Sequence, residues 1–160
     1  MNEQLTEILE IMKSNEETLA SAESCTGGKV SGLITETPGI SAIYSGGVIA
    51  YSAAIKQQLL GVDARIITEK GIVSPETALA MAEGVRKLLN SSWGIATTGY
   101  AGPTGGDSRF GVGTVCFAIV CSQRGIAKAW HSKFIGNRES VMHAAATQLL
   151  EQLWNEVHHN

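Results

Sequence analysis

Thr18-Leu19-Ala20-Ser21-Ala22-Glu23-Ser24-Cys25-Thr26-Gly27-Gly28 is the stretch on which the fold turns. Residues 18–23 read as a short strand that ends at Ser24. Gly27-Gly28 makes a turn, and Val30, Leu33 and Ile34 then restart helical spacing. A strand, a tight turn and a helix in that order are the opening of an α/β unit. On the N-terminal side, Leu5, Ile8, Leu9 and Met12 recur at helical intervals, so residues 3–14 read as an amphipathic helix broken by Asn15-Glu16-Glu17. On the C-terminal side, Thr37-Pro38-Gly39 closes the helix after the turn.

Further out, the alternation continues. Residues 43–51 read as a strand, with Gly46-Gly47 marking a bulge or a close backbone approach. Residues 53–60 read as a helix stopped by Gly61. Ser74-Pro75-Glu76 carries the signature of a helix start, with Ser as N-cap, Pro at the first turn and an acid behind it. An apolar stripe from Ala78 through Val85 to Leu89 follows. Residues 93–98 read as a short apolar strand. Strands over 114–121 and 126–135, joined by Ser122-Gln123-Arg124-Gly125, read as a hairpin. Asn137 caps a last helix with Val141, Ala145, Leu149 and Leu153 on one face. Alternating helices and strands followed by an antiparallel hairpin predict an α/β fold with a mixed central sheet and helices on both faces.

The chain has 160 residues, the size of one domain, and 44% hydrophobic residues, enough for a core of its own. One domain over 1–160 is the economical expectation. Net charge is −3, without a Lys/Arg cluster, which speaks against a nucleic-acid partner. No apolar run reaches the roughly 18 residues of a membrane span, and residues 1–4 do not open a signal peptide. Three cysteines without a C-x-x-C spacing argue for a reducing, cytoplasmic setting and against a disulfide framework or a zinc site. Only 17% of residues are charged, which points weakly to surface hidden by self-association.

Three glycine-marked turns follow strands, where α/β folds gather their ligands. In the first, Ser24 reads either as an exposed nucleophile near helix N–H groups, or, with Thr26, as a plain helix cap. Cys25 is a rival nucleophile without an obvious activating histidine; a buried structural thiol is the simpler reading. In the second, Tyr51 stands at a strand end and Lys56 in the following helix. A desolvated lysine serves as a general base, and Ser–Lys pairs replace Ser–His pairs; a solvated surface lysine and a core tyrosine are the alternatives. In the third, residues 97–107 pack Gly99, Gly102, Gly105 and Gly106 around Pro103. Such a loop reads as a backbone cradle for a phosphate or carboxylate, or as a structural Ω-loop. It has neither Walker A nor dinucleotide-fingerprint spacing. Arg138 opens the last helix against the dipole, which suggests an anion to grip, unless it is a surface arginine paired to an acid.

Taken together, Ala22-Glu23-Ser24-Cys25-Thr26-Gly27-Gly28, Gly47-Val48-Ile49-Ala50-Tyr51-Ser52 with Lys56, Leu60-Gly61-Val62, Gly71-Ile72-Val73-Ser74, Ala80-Met81-Ala82-Glu83-Gly84, Thr98-Gly99 with Ala101-Gly102-Pro103 and Gly105-Gly106, Val112-Gly113-Thr114-Val115 and Gly136-Asn137-Arg138 resemble the CinA C-terminal domain family. The enzymatic members of that family are PncC-like nicotinamide-nucleotide amidohydrolases. The resemblance covers nearly the whole chain. It implies a three-layer α/β/α sandwich, a bacterial cytosolic homo-oligomer and a stand-alone form without the larger N-terminal domain. It also implies hydrolysis of the carboxamide of nicotinamide mononucleotide, with no metal or organic cofactor. On that reading Ser24 attacks, Lys56 is the base, and Tyr51 holds Lys56 or protonates the leaving ammonia. Backbone near Gly27 and Gly99 stabilises the oxyanion, and Thr26, Thr98, Gly102, Gly105, Gly106 and Arg138 bind the substrate and its phosphate.

Three stretches depart from the family pattern. Ala53 and Ala54 replace Asn and Glu ahead of Lys56, Phe110-Gly111 replaces a Lys-Pro pair, and Met142 stands where a second arginine is usual. Arg109 is a candidate replacement for the lost basic groups. A binding-only paralogue and an amidase for another amide are the competing readings.

Overall fold

The computed structural model describes residues 1–159. The strands are β1 (Leu19–Glu23), β2 (Tyr44–Ile49), β3 (Trp93–Gly99), β4 (Thr114–Cys121) and β5 (Ile126–Lys133). The α-helices are α1 (Asn2–Ser14), α2 (Lys29–Thr35), α3 (Ala53–Leu60), α4 (Ala64–Lys70), α5 (Pro75–Leu88) and α6 (Arg138–His159). The strands form one sheet in the order β2-β1-β3-β4-β5. The first three are parallel, and β4 runs antiparallel to both of its neighbours, β3 and β5. The chain is therefore a three-layer α/β/α sandwich with a mixed sheet. No helix among the described residues is long and apolar enough to cross a membrane.

Side-chain alternation along the strands sorts the two layers. Trp93, Ile95, Val115, Phe117 and Ile119 face one core, shared with Leu5, Ile8 and Met12 of α1 and Val141, Ala145, Leu149 and Leu153 of α6. Their strand neighbours Ala20, Ala22, Ala96 and Ala118 face the other core, against Ala78, Met81, Ala82 and Val85 of α5. The second layer thus sits close to the sheet. A Cβ at Gly94 would stand against the carbonyl of Ala82, and one at Gly84 against the carbonyl of Leu60.

The bulge expected at Gly46-Gly47 is present: the β1–β2 register slips between Leu19 and Ala20, and Gly46 has φ +141°. A Cβ on Gly47 would collide with the hydroxyls of Ser21, Ser31 and Tyr44. Helix α4 carries no fully buried residue, so it lacks the apolar stripe that betrays a helix in sequence. It is held by partly buried Ile67 against the second core, by its Asp63 cap and by Arg109 from across the chain. The last strand stops at Lys133 rather than residue 135, leaving Ile135 fully in solvent. Asn137 caps α6 as expected, accepting from the Ser140 N–H at 2.9 Å.

Candidate active site

Two parallel strands set the site. β1 ends at Glu23, and the next N–H, that of Ser24, donates to the Thr97 carbonyl on β3 at 3.0 Å. The chain then turns through Cys25 and Thr26 to Gly27 and Gly28, whose φ values of +58° and +102° only glycine adopts without strain. Ser24 therefore sits at the carboxyl edge of the sheet.

Ser24 is no helix cap, since α2 begins five residues later and Gly28 at its N-cap offers no side chain. The cap comes from Glu23, which is fully buried beneath the turn. Its carboxylate accepts from the N–H groups of Gly28, Val30 and Ser31 and from the hydroxyls of Thr26 and Ser31, at 2.6–3.1 Å. Sequence reasoning gave Glu23 no role. The one hint along the chain is an acid set in a strand otherwise of Leu, Ala and Ser; its burial and its donors come from the fold.

Lys56 completes the centre. Ser52 caps α3, accepting from the Ile55 N–H. One turn later the Lys56 side chain runs inward and is fully buried. Its Nζ lies 2.9 Å from Ser24 Oγ and 2.8 Å from the Ala50 carbonyl. Neither partner carries charge. Burial therefore pushes the ammonium down from 10.5 to about 8. A surface lysine is excluded at this position. Burial also pushes the Cys25 thiol up to about 12, so Cys25 stays protonated at neutral pH.

A cavity of about 180 Å³ opens over this pair. Ser24, Cys25, Tyr51, Lys56, Thr98, Gly99 and Arg138 line it, as do Ile72, Val73, Tyr100, Ala101 and Thr104, which sequence reasoning gave no individual role. Thr98 also braces the wall by donating to the Ile72 carbonyl at 3.0 Å.

Several expected placements need correction. Tyr51 does not hold Lys56. Its hydroxyl, on a residue 58% exposed, accepts from Arg138 at 2.8 Å, and the Ala50 carbonyl holds the lysine instead. Arg138 spans from there to the Gly102 carbonyl, also at 2.8 Å. Thr26 is buried under the turn, donating to Glu23 and facing the Thr97 hydroxyl at 2.8 Å, so it is not part of the cavity wall. The Gly27 N–H is committed to the Ser24 carbonyl. Among the described residues, the N–H groups of Cys25 and Thr26 donate to no carbonyl or side-chain oxygen.

The glycine loop divides in two. Of its first part, Thr98 to Ala101 and Thr104 line the cavity, while Gly102 serves as the carbonyl partner of Arg138 and is not in the lining. Gly105, Gly106 and the residues beyond are a self-bound loop: Asp107 accepts from the Tyr100 hydroxyl and from the N–H groups of Arg109 and Phe110. Burial, reinforced by the bond to Asp107, pushes the Tyr100 phenol up to about 12. Gly99 is a glycine because a Cβ there would press into β4 at the Thr114 carbonyl.

None of the departures from the family pattern lines the cavity, while Met142 packs against the nucleophile's turn. Ala54 is exposed and Ala53 half-buried, and Lys56 Nζ donates its hydrogen bonds to Ser24 and Ala50 instead. Met142 lies over Gly27, and Phe110 stacks near His131. Arg109 is bound to the carbonyls of Glu69 and Lys70 at the end of α4 and does not line the cavity.

Fold and site define a class: a three-layer α/β/α domain with a buried serine–lysine pair at the carboxyl edge of its parallel strands. The chain belongs to the CinA C-terminal domain family, whose model matches residues 2–157. It is 52% identical over 112 residues to a CinA-like protein of Synechococcus sp. (strain CC9902), covering 70% of this chain and 27% of that one. It is 41% identical over 155 residues to a CinA-like protein of Prochlorococcus marinus (strain NATL2A), covering 95% and 36%. The chain thus spans about a third of the length of the curated relatives it matches. Among solved structures, the competence damage-inducible protein A of Klebsiella pneumoniae subsp. pneumoniae MGH 78578 superposes with a TM-score of 0.92. The two are 30% identical, over 99% of this chain and 97% of that one. The competence/damage inducible protein CihA of Agrobacterium tumefaciens superposes with a TM-score of 0.86 at 31% identity, over 96% and 94%.

Proposed function

We propose that this chain hydrolyses the carboxamide of nicotinamide mononucleotide to nicotinate mononucleotide and ammonia. The observation that carries the reading is the 2.9 Å contact between the buried Lys56 Nζ and Ser24 Oγ. Neutral Lys56 takes the hydroxyl proton as Oγ attacks the amide carbon. The N–H of Cys25, next in the chain and donating to no main-chain carbonyl, is the donor offered to the developing oxyanion. Lys56 returns its proton to the departing nitrogen, ammonia leaves, and water cleaves the acyl-serine with Lys56 again as base.

A cavity of about 180 Å³ takes the pyridine ring and its amide rather than a whole nucleotide. Ribose and phosphate then lie towards Thr104 and the Arg138 guanidinium, whose charge suits a phosphate. The same reading places the protein in the cytosol as a homo-oligomer, which light scattering tests. It also includes no nucleic-acid partner, which a gel shift at moderate salt tests.

The deciding experiment is ammonia release at about 1 mM substrate, near the top of the usual KM range, by wild type, Ser24→Ala and Lys56→Ala. Release by wild type alone is expected, with kcat/KM climbing as pH rises through about 8 as Lys56 loses its proton. A folded wild type that releases no ammonia would sink this reading.

A further inference from the structure

We propose that Glu23 is a positioning residue for Ser24, a buried carboxylate that staples the nucleophile's turn shut. The inference rests on Ser24 being the nucleophile, and adds how that hydroxyl is kept in register with its base.

Glu23 is fully buried, and no Lys, Arg or His among the described residues pairs with its carboxylate. A carboxylate without a counter-charge is costly to bury. Five donors replace its water: three backbone N–H groups and two hydroxyls. Capping alone does not require this arrangement, because a Ser, Thr, Asp or Asn at residue 28 would cap α2 locally. The sequence instead has Gly28 there, in a left-handed conformation, and reaches the helix from five residues upstream. The bond from the Gly28 N–H to Glu23 closes a ring around Ser24, Cys25, Thr26 and Gly27. Those are the residues that two positive-φ glycines would otherwise leave loose.

The ring is anchored twice more. The Thr26 hydroxyl joins Glu23 to Thr97 on β3, and the Ser31 hydroxyl joins it to Tyr44 of β2. The main chain of the same residue reaches the base. The Glu23 carbonyl accepts from the Ala50 N–H at 2.8 Å, and the Ala50 carbonyl accepts from Lys56 Nζ. Nucleophile and base thus hang from one residue, the first through its side chain and the second through its backbone. A change confined to the side chain should loosen Ser24 while leaving Lys56 in place.

Glu23→Gln tests this at nearly constant volume. Whichever way the amide is turned, its NH₂ meets a backbone N–H, from Gly28 and Val30 on one side or Ser31 on the other. The probe is a fluorophosphonate, read by intact mass. Ser24 Oγ forms a bond to phosphorus, the P–F bond breaks, fluoride leaves, and the hydroxyl proton passes to Lys56 Nζ. Wild type should label at one site, lost in Ser24→Ala, with a rate that rises with pH. Glu23→Gln, at equal folded fraction by circular dichroism, should label at least about tenfold more slowly, since misplacement by about 1 Å costs on the order of a hundredfold. Its pH midpoint should match that of wild type. A merely structural role would lower the melting temperature and leave the labelling rate of the folded protein unmoved.

Thr26→Val, which removes only the link between Glu23 and Thr97, should slow labelling several-fold, and it decides the matter if Glu23→Gln does not fold. Labelling of the folded variants within twofold of wild type would overturn the proposal alone. A wild type that does not label at Ser24 would remove the serine-nucleophile reading and this proposal with it.

Discussion

Replacing Lys56 with methionine should separate what this side chain costs the fold from what it contributes to chemistry. The folded ammonium is held at about 8 against an ordinary 10.5. That gap corresponds to roughly 3 kcal/mol at 1.36 kcal/mol per pH unit. The sign is that of a lowered base: below pH 8 both folded and unfolded chains hold the proton, and the native state bears the whole penalty. Between 8 and 10.5 only the unfolded chain holds it, so stability rises with pH. Methionine has a similar length and no charge, and so removes the penalty. It also strands the buried Ala50 carbonyl, which costs about 1–3 kcal/mol. The net expectation at pH 7 is a variant more stable than wild type by on the order of 1 kcal/mol. By pH 9.5 wild type should have regained about 2 kcal/mol of its penalty, so the order reverses. Urea unfolding of both proteins at pH 7 and pH 9.5 measures this directly, with amidase activity absent from the variant throughout. A stability difference that does not change with pH would refute the reasoning, because it would mean that Lys56 pays no desolvation penalty in the folded state.

Arg138→Ala should raise KM for nicotinamide mononucleotide at least about tenfold, with a much smaller change for the dephosphorylated riboside. Steady-state kinetics on the two substrates checks this, and equal losses on both would show that Arg138 acts through Tyr51 and Gly102 rather than on phosphate. Gly94→Ala should destabilise by about 1–3 kcal/mol, an overpacking cost, because its Cβ meets the Ala82 backbone where α5 lies on the sheet; thermal unfolding reads it. Arg124→Ala should cost about 3–5 kcal/mol. It strands the Glu17 carboxylate, whose side chain is 7% exposed and takes two guanidinium bonds. Arg124→Ala with Glu17→Ala should recover part of that loss.

Most of the architecture was legible because it follows from local periodicity. Leu5, Ile8, Leu9 and Met12 mark α1, and the Ser74-Pro75 start and Ala78-to-Val85 stripe mark α5. The β4–β5 hairpin follows from two apolar runs around Gly125. The layers could be expected from the order of these elements. Helix α4 could not be read, since its seven residues bury nothing completely and part of its support comes from Arg109, thirty-nine residues away from Lys70 in sequence. Ser24, Lys56 and the family resemblance were readable from motifs, because a strand-to-glycine turn has few other uses.

What each side chain touches was decided only by the tertiary structure. Lys56 looks in sequence like any lysine on a helix. Its base-like character comes from burial against Ser24 and Ala50, brought together by the parallel pairing of β1 with β2. Tyr51, Thr26 and Gly105 share motifs with the centre, yet lie at its rim, beneath it or behind it. Glu23 was in plain view and unassigned, because its meaning is carried by donors contributed from the far side of the turn. Periodicity and turn chemistry are properties of the chain and can be read along it. Desolvation and hydrogen-bond pairing are properties of space, and arise only when distant segments exclude water together.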